Sequence, residues 1–535
     1  MPEKHDILPG MLKTGAGTLV SRILGLVREV FTSRFLGAGP AMDMFVIAFR
    51  VPNLFRALFG EGALNASFVP VFTREGLDPS GDARRLLNTV MTALAALLMA
   101  ITCLGWLICG VVLLSGRLPP NGRLFCLLLM ILMPYLPLIC LTALQGAALN
   151  VKGHFLRPAF APTIMNICWI GAIVLLWRCR VTDLNLGVTA LAVGVLISGV
   201  LQFAYQTVML RRCALHFRPV WDLAHPGLRQ IVQLTLPVVV GVSVIQINTF
   251  VDSLFAQFCV PGEGANSALW YGNNLMQFPL GVLGVALATA VLPALAHHEA
   301  VGDRKAFVGA VGLSLRTAFF VSLPCVAATV ALSVPIVRVL YQGGRFTSDS
   351  TTRTAAVFLC FTVGLWAFCG VQVLARAFYA QQDTRTPRRI AVIMVGANFV
   401  LNAILVWPMR EAGLALASSI CGVGNMALLW AHLRRKIGPI GGRAVAVSAM
   451  KSAAAAAVAG FAGYGAFCGT LRAVGGPAAS PRAWPQILAL SCGLAAVCAA
   501  FLLAAWALRA TELREFVQSV RRKKALPSEH ASSSK

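Results

Sequence analysis

Apolar runs recur along the whole chain, most of them near or above the ~20 residues a helix needs to cross the hydrocarbon of a bilayer. They read Leu86–Leu114, Leu124–Leu149, Phe160–Trp177, Val188–Met209, Ile231–Cys259, Leu269–Ala296, Phe307–Tyr341, Thr354–Tyr379, Ile390–Trp407, Leu414–Leu433, Ala444–Cys468 and Ile487–Leu508. Two more charged segments precede them, a helix expected from near Leu8 to near Leu36 and the run Met44–Phe59. Of the 535 residues, 58% are hydrophobic and only 12% charged, against about 25% charged in ordinary soluble domains. With no water in the bilayer to satisfy exposed backbone groups, spans of this length must be helices. The expected fold is therefore all-α and polytopic, with about 14 transmembrane helices. The run Phe307–Tyr341 is long enough to include a loop. The polar start MPEKHDILPG leads into a segment too long and too charged for a cleavable signal's apolar region.

Loop charge sets the expected orientation. Joints such as Gly37–Ala41 and Pro261–Asn266 carry few basic residues. The alternate joints carry Arg74, Arg84 and Arg85; Lys152 and Arg157; Arg211, Arg212, Arg218 and Arg229; Arg385, Arg388 and Arg389; and Arg434, Arg435, Lys436 and Arg443. The positive-inside rule then puts both termini in the cytoplasm.

A faint repeat supports the same count. Ala147–Met165 and Ala377–Met394 share a helix, polar loop, proline and helix layout, with Pro158 against Pro387. ALNASFVP at Ala63–Pro70 resembles ALATAVLP at Ala286–Pro293. Both offsets correspond to six spans, which preserves orientation and gives two six-helix lobes in parallel repeat. The expected division is a first lobe over residues 1–220, a second over 221–436 with Trp221–Gln230 as an interfacial connector, two additional helices over 437–510, and a basic cytoplasmic tail over 511–535.

Several function classes fall away. The net charge of +25 resides in short loops between apolar runs, as topology signals and headgroup contacts do, so nucleic acid is not the expected partner. Most of the fifteen cysteines lie inside apolar runs and read as small hydrophobes, and His297 and His298 have no ligands at metal spacing. There is no G-x-x-x-x-G-K-[ST] loop for ATP. Paired carboxylates of a membrane enzyme are also missing, since Asp43, Glu61 and Asp252 stand singly among the spans.

The first two spans hold the chemistry. Between Gly15 and Phe72 the chain keeps Arg22, Arg28, Glu29, Arg34, Asp43, Arg50, Arg56 and Glu61. A charge near the bilayer centre costs about 2.5–3.5 kcal/mol on the insertion scale, so such residues line water or bind something. Arg22 and Glu29 share one helix face, with Gly25 between them as a place to bend. Each arginine alone could be a buried ion pair, Arg22 with Glu29 for example. Together the arginines exceed the carboxylates, and their planar forks suit phosphate oxygens. A phosphate-bearing anion is the expected ligand.

The segments SRILGLVREVFTSRFLGAG, DMFVIAFRVPNLFRALFGEGALNASFVP and NLMQFPLGVLGVALATAVLPAL resemble the MurJ (MviN) lipid II flippases of the MOP exporter superfamily, and the likeness extends through all the spans. The resemblance implies two six-helix lobes around a cationic cavity, with the last two helices shaping a groove for a polyprenyl tail. It implies substrate contacts at Arg22, Arg28 and Arg56, with carboxylates at Glu29, Asp43 and Glu61. Glu29 stands where many members have Asp. Asn274 stands where the family commonly has an arginine, which removes one expected phosphate contact from the second lobe.

The expected function is a flippase that moves lipid II outward by alternating access for peptidoglycan and cell-wall synthesis, without ATP hydrolysis, as a monomer in the inner membrane. The alternative is a polysaccharide-precursor or multidrug exporter of the same superfamily, although the arginine excess argues against cationic drugs. A coupling ion, Na+ or H+, is expected at Asp252, Asn398, Asn402 and Ser418. Asp252 is the lone carboxylate of its run, and Asn398 and Asn402 lie four apart on one helix face. Some members of the resembled family bind sodium at matching positions, with a second acid where Asn402 stands and Thr where Ser418 stands.

Overall fold

Helix α1 (residues 21–36) opens the described part of the chain and runs without a break through Gly25; the computed structural model describes residues 21–77, 82–154, 156–281, 285–474 and 483–513. The expected helix start near Leu8 and the tail beyond residue 513 lie outside the described residues. After α1 come α2 (Pro40–Phe55), a π-helical turn (Arg56–Gly62), α3 (Ala63–Leu77), α4 (Ala83–Leu114), α5 (Pro120–Leu132), α6 (Tyr135–Val151), the single turn α7 (Leu156–Ala159), α8 (Ala161–Arg178) and α9 (Leu184–Arg212). The chain continues with α10 (Pro226–Phe258), α11 (Ala265–Pro279), α12 (Val285–Val301), α13 (Arg304–Tyr341), α14 (Ser348–Val363), α15 (Leu365–Ala380), α16 (Arg385–Ile437), α17 (Gly442–Ala473) and α18 (Ala483–Ala507).

Nine helical stretches among the described residues are long and apolar enough to cross a membrane. The expected runs Ile231–Cys259 and Leu269–Ala296 are helical as well, in α10 and in α11 with α12. The stretch Arg385–Ile437 holds two expected runs in one, broken where Pro408 precedes Arg410 at φ +52°. The two charged opening segments are separate helices, and α2 gives way to the wide turn RALFGEG after Pro52. Pro52 offers no N–H to the helix ladder, and Gly60 and Gly62 bend at little steric cost. Conversely, α13 is helical from Arg304 to Tyr341, so the loop expected there is only a kink at Leu332, between Pro324 and Pro335.

The side chains sort as lipid demands. On α4, Leu104, Leu107, Ile108 and Val111 are exposed, whereas Gln145, Gln202 and Gln206 of α6 and α9 are buried. Gln145 donates to Thr207 at 2.8 Å, which pairs an amide nitrogen that neither lipid nor apolar neighbours could.

Contacts divide the chain into two units. The first comprises the described residues of Met1–Tyr271, with Tyr341–Thr351 and Asn398–Leu414. Its core gathers Phe68, Phe72, Leu86, Met91, Leu136 and Leu144. Near Gly37 (φ +71°), Arg345 N–H donates to the Arg34 carbonyl at 3.0 Å, so the turn after α1 is fixed on the 343–346 turn. The second unit comprises Gly272–Leu340, Thr352–Ala397 and the described residues of Ala415–Lys535. There α17 and α18 approach through Gly463 and Gly493, whose missing side chains let the backbones close. Asp383 accepts from the Thr386 N–H at 3.0 Å and hydroxyl at 2.9 Å at the start of α16, with Lys436 at 3.3 Å.

Candidate functional site

Arg28 is the centre of a buried polar network in the first unit. Its Nη2 meets Glu29 Oε1 at 2.5 Å and its Nε the same oxygen at 3.1 Å. Nη1 donates to Asn166 Oδ1 at 3.2 Å, and the guanidinium lies 4.5 Å from the centre of the Trp169 ring. A cation over an indole face gains from the ring quadrupole, the more so out of water. The second oxygen of Glu29 accepts from Trp270 Nε1 at 2.9 Å. Trp169 is fixed in turn by donating to Thr32 at 2.9 Å, while Thr32 donates to the Arg28 carbonyl. Phe49 meets both Trp169 and Trp270 edge-on.

The expected excess of positive charge is thus smaller at Arg28 than the sequence suggested. Glu29 is its immediate neighbour and compensates it directly. Arg22 is half-buried on the same helix. Arg56 begins the π turn, where its Nε donates to Asn53 Oδ1 at 2.8 Å.

The carboxylates have structural work. Asp43 is buried, and its Oδ2 accepts from Gly264 N–H at 2.6 Å. Its Oδ1 accepts from the Ser267 N–H at 2.7 Å and hydroxyl at 2.6 Å. These donors belong to the first turn of α11, which has no partners of its own for them. Asp43 therefore anchors α11 to α2. Glu61 lies in the π turn, and its side chain is outside the described residues. In the second unit, Asn274 is half-buried, and its amide nitrogen makes no hydrogen bond.

Around Asp252 the structure gathers three of the four expected cation-site residues into a different arrangement. Asn402 donates its amide N–H to Asp252 Oδ1 at 2.6 Å and to Asn398 Oδ1 at 2.9 Å. Asn402 thus turns a nitrogen, not an oxygen, toward the carboxylate. Arg50 of α2 donates to the Thr249 carbonyl, one turn before Asp252, and its charge acts on Asp252. A sodium ion takes oxygen ligands and one balancing negative charge, and here an amide N–H already faces that charge. The Oδ1 of Asn402 is buried beside this pair and has no hydrogen-bond partner. Ser418 is half-buried in the second unit.

Sequence reasoning missed Arg50, Asn166, Trp169, Trp270 and Ser267 as partners. Two of them left a trace: Arg50 as a charge within the opening spans, and Asn166 as a polar residue within the apolar run Phe160–Trp177.

Comparison with known proteins agrees with this architecture. A family model described as lipid II flippase MurJ matches residues 32–475. The probable lipid II flippase MurJ of Vibrio cholerae serotype O1 is 36% identical over 442 residues, covering 79% of this chain and 83% of that one. The lipid II flippase MurJ of Burkholderia cenocepacia is 32% identical over 444 residues, covering 81% and 84%. Among solved structures, a lipid II flippase MurJ in an inward closed conformation superposes with a TM-score of 0.75 at 24% identity, over 92% of this chain and 99% of that one. An inward-facing multidrug resistance MATE transporter of the MOP superfamily gives 0.64 at 14% identity, over 81% and 98%. The chain is a multi-pass membrane protein with this fold, and it belongs to the MurJ lipid II flippase family.

Proposed function

We propose that this chain is a flippase that carries lipid II from the cytoplasmic to the outer leaflet of the inner membrane by alternating access. The observation that carries this reading is membership of the family over residues 32–475, joined to a guanidinium-rich polar network within an otherwise apolar molecule. Arg22 and Arg56 bind the diphosphate. Arg28, held between Glu29 and Trp169, positions α1, the helix that presents Arg22. The substrate headgroup crosses through a cationic cavity of a chain organised as two six-helix lobes, residues 1–220 and 221–436, while its tail stays in lipid beside α17 and α18. The protein works as a monomer with both termini in the cytoplasm and hydrolyses no ATP.

The driving force follows from charge. An anion leaving a negative-inside cell gains about 2.3 kcal/mol per charge per 100 mV. With Arg50 acting on Asp252, no bound sodium is needed to balance that carboxylate, and the potential acting on the substrate suffices. Depleting a cell of its own lipid II flippase and supplying this chain tests the reading. Growth restored by the chain, and lost with Arg22→Ala, is the expected result; no growth with a well-expressed, membrane-inserted chain would refute it.

A further inference from the structure

The second unit holds a cavity of about 910 Å³ that the transport reading does not use. It lies where α16 ends and α17 begins, and Arg316, Arg434, Arg443, Lys451, Trp430 and Glu512 line it. Four cationic side chains thus face a single carboxylate. That carboxylate is already engaged. Glu512 is buried, accepts from Ser448 at 2.8 Å and pairs with Arg316 at 3.5 Å. Among the described residues Arg434, Arg443 and Lys451 make no ion pair, so the cavity keeps a surplus of positive charge.

The position of Lys451 is informative. It is the one charged residue of α17 between Arg443 and Arg472, in the otherwise small and apolar stretch SAMKSAAAAAVAG. Arg443, Val447 and Lys451 stand four apart and share one helix face. Arg443 and Lys451 are therefore about 12 Å apart along the axis. A lysine at this depth of an apolar helix is costly unless its ammonium reaches an anion. The wall between the two cations is apolar, with Val447, Ala444 and Ile440, and Trp430 stands beside them. Charge at the mouth, an apolar wall and an interfacial tryptophan match a molecule that is an anion at one end and hydrocarbon at the other.

We propose that this cavity seats the phosphate headgroup of an anionic membrane phospholipid, with Arg443, Arg434 and Lys451 on the phosphate and Val447 against the start of the acyl chains. The site is independent of the transport reading, since it uses none of the residues given to lipid II. Native mass spectrometry of the full-length protein in neutral detergent, titrated with phosphatidylglycerol, tests it. A discrete one-to-one adduct is expected, weakened ~10-fold or more in the Arg443→Gln/Lys451→Gln double variant, since each such charge is worth ~1 kcal/mol. Arg443→Lys should retain the adduct. Melting temperature without lipid controls for folding, and the exposed Arg434→Gln serves as a second variant if the double one fails to fold. Inorganic phosphate binding as well as phosphatidylglycerol would make this a free-anion site and overturn the proposal. So would undecaprenyl diphosphate displacing phosphatidylglycerol at lower concentration, which would assign the cavity to the transported lipid. An adduct unchanged in every variant would also overturn it.

Discussion

Arg28 and Glu29 are adjacent in the chain and close an ion pair at 2.5 Å in which the arginine side chain is 15% exposed and the glutamate only 3%. Removing the arginine leaves a buried carboxylate with only the Trp270 donor. Breaking a buried pair from one side costs about 3–5 kcal/mol. Arg28→Ala is therefore expected to lower the melting temperature and the amount of folded protein as well as transport. Replacing both residues with apolar ones of similar volume, Arg28→Met with Glu29→Leu, should recover stability without recovering growth. Thermal melts followed by size-exclusion chromatography distinguish the two outcomes.

Arg22→Ala and Arg56→Ala should behave differently. Both arginines are proposed to hold the diphosphate itself, so each variant is expected to reach normal protein levels and still fail to restore growth. Arg→Lys at either position should also be impaired, because a point charge does not replace a planar fork on phosphate. Immunoblots of membrane fractions beside growth curves provide the measurement.

Sodium should leave the wild-type melting temperature where an osmotically matched bulky cation leaves it, because an amide N–H already faces Asp252 and the charge of Arg50 acts on it. Arg50→Gln strips that charge from the carboxylate. Sodium then has a reason to bind, and melting temperature should rise with its concentration. A sodium-dependent wild type that becomes independent in Asp252→Ala would reverse the assignment.

Asn274 carries a buried amide nitrogen without a hydrogen-bond partner. Truncating an unpaired polar group relieves its desolvation, which is worth about 1–3 kcal/mol. Asn274→Ala is expected to keep function and to melt no lower than wild type. A well-expressed but inactive variant would show that this amide meets the substrate.

Gly463 supports the pairing of α17 with α18. A Cβ there would collide with Val497 and fall 3.1 Å from the Gly493 carbonyl oxygen. Gly463→Val should destabilise the protein by about 1–3 kcal/mol through overpacking, read as a lower melting temperature, while Gly465→Val, where a Cβ meets nothing within 4 Å, should not.

Much of this architecture was legible because apolar length is a strong signal. The runs Leu86–Leu114 and Val188–Met209 fall within Ala83–Leu114 and Leu184–Arg212. What escaped depends on backbone geometry or on partners far apart in the chain. Nothing in MREAG announces that Arg410 takes a left-handed conformation, and Phe307–Tyr341 is long enough for a loop yet stays helical. The site shows the same limit. Reading Ile231–Cys259 by itself leaves Asp252 alone, and its charge partner Arg50 comes from a run some two hundred residues earlier. The capping role of Asp43 was not legible either, because a carboxylate's use as a cap becomes visible only once α11 has a place.

The π turn Arg56–Gly62 has a consequence for how α2 and α3 face their surroundings. An α-helix turns about 100° with each residue, so faces continue predictably along it. Winding from i to i+5 takes up one more residue in a turn without ending the ladder. The phase of α3 is thereby set separately from that of α2, and a stripe drawn through Asp43 and Arg50 does not continue onto it. Removing a single residue between Arg56 and Gly62 would leave both helices hydrogen-bonded while rotating one against the other by about 100°. Between its two arginine-bearing helices and the rest of the lobe, the chain has a seam where angle, not length, is the adjustable quantity.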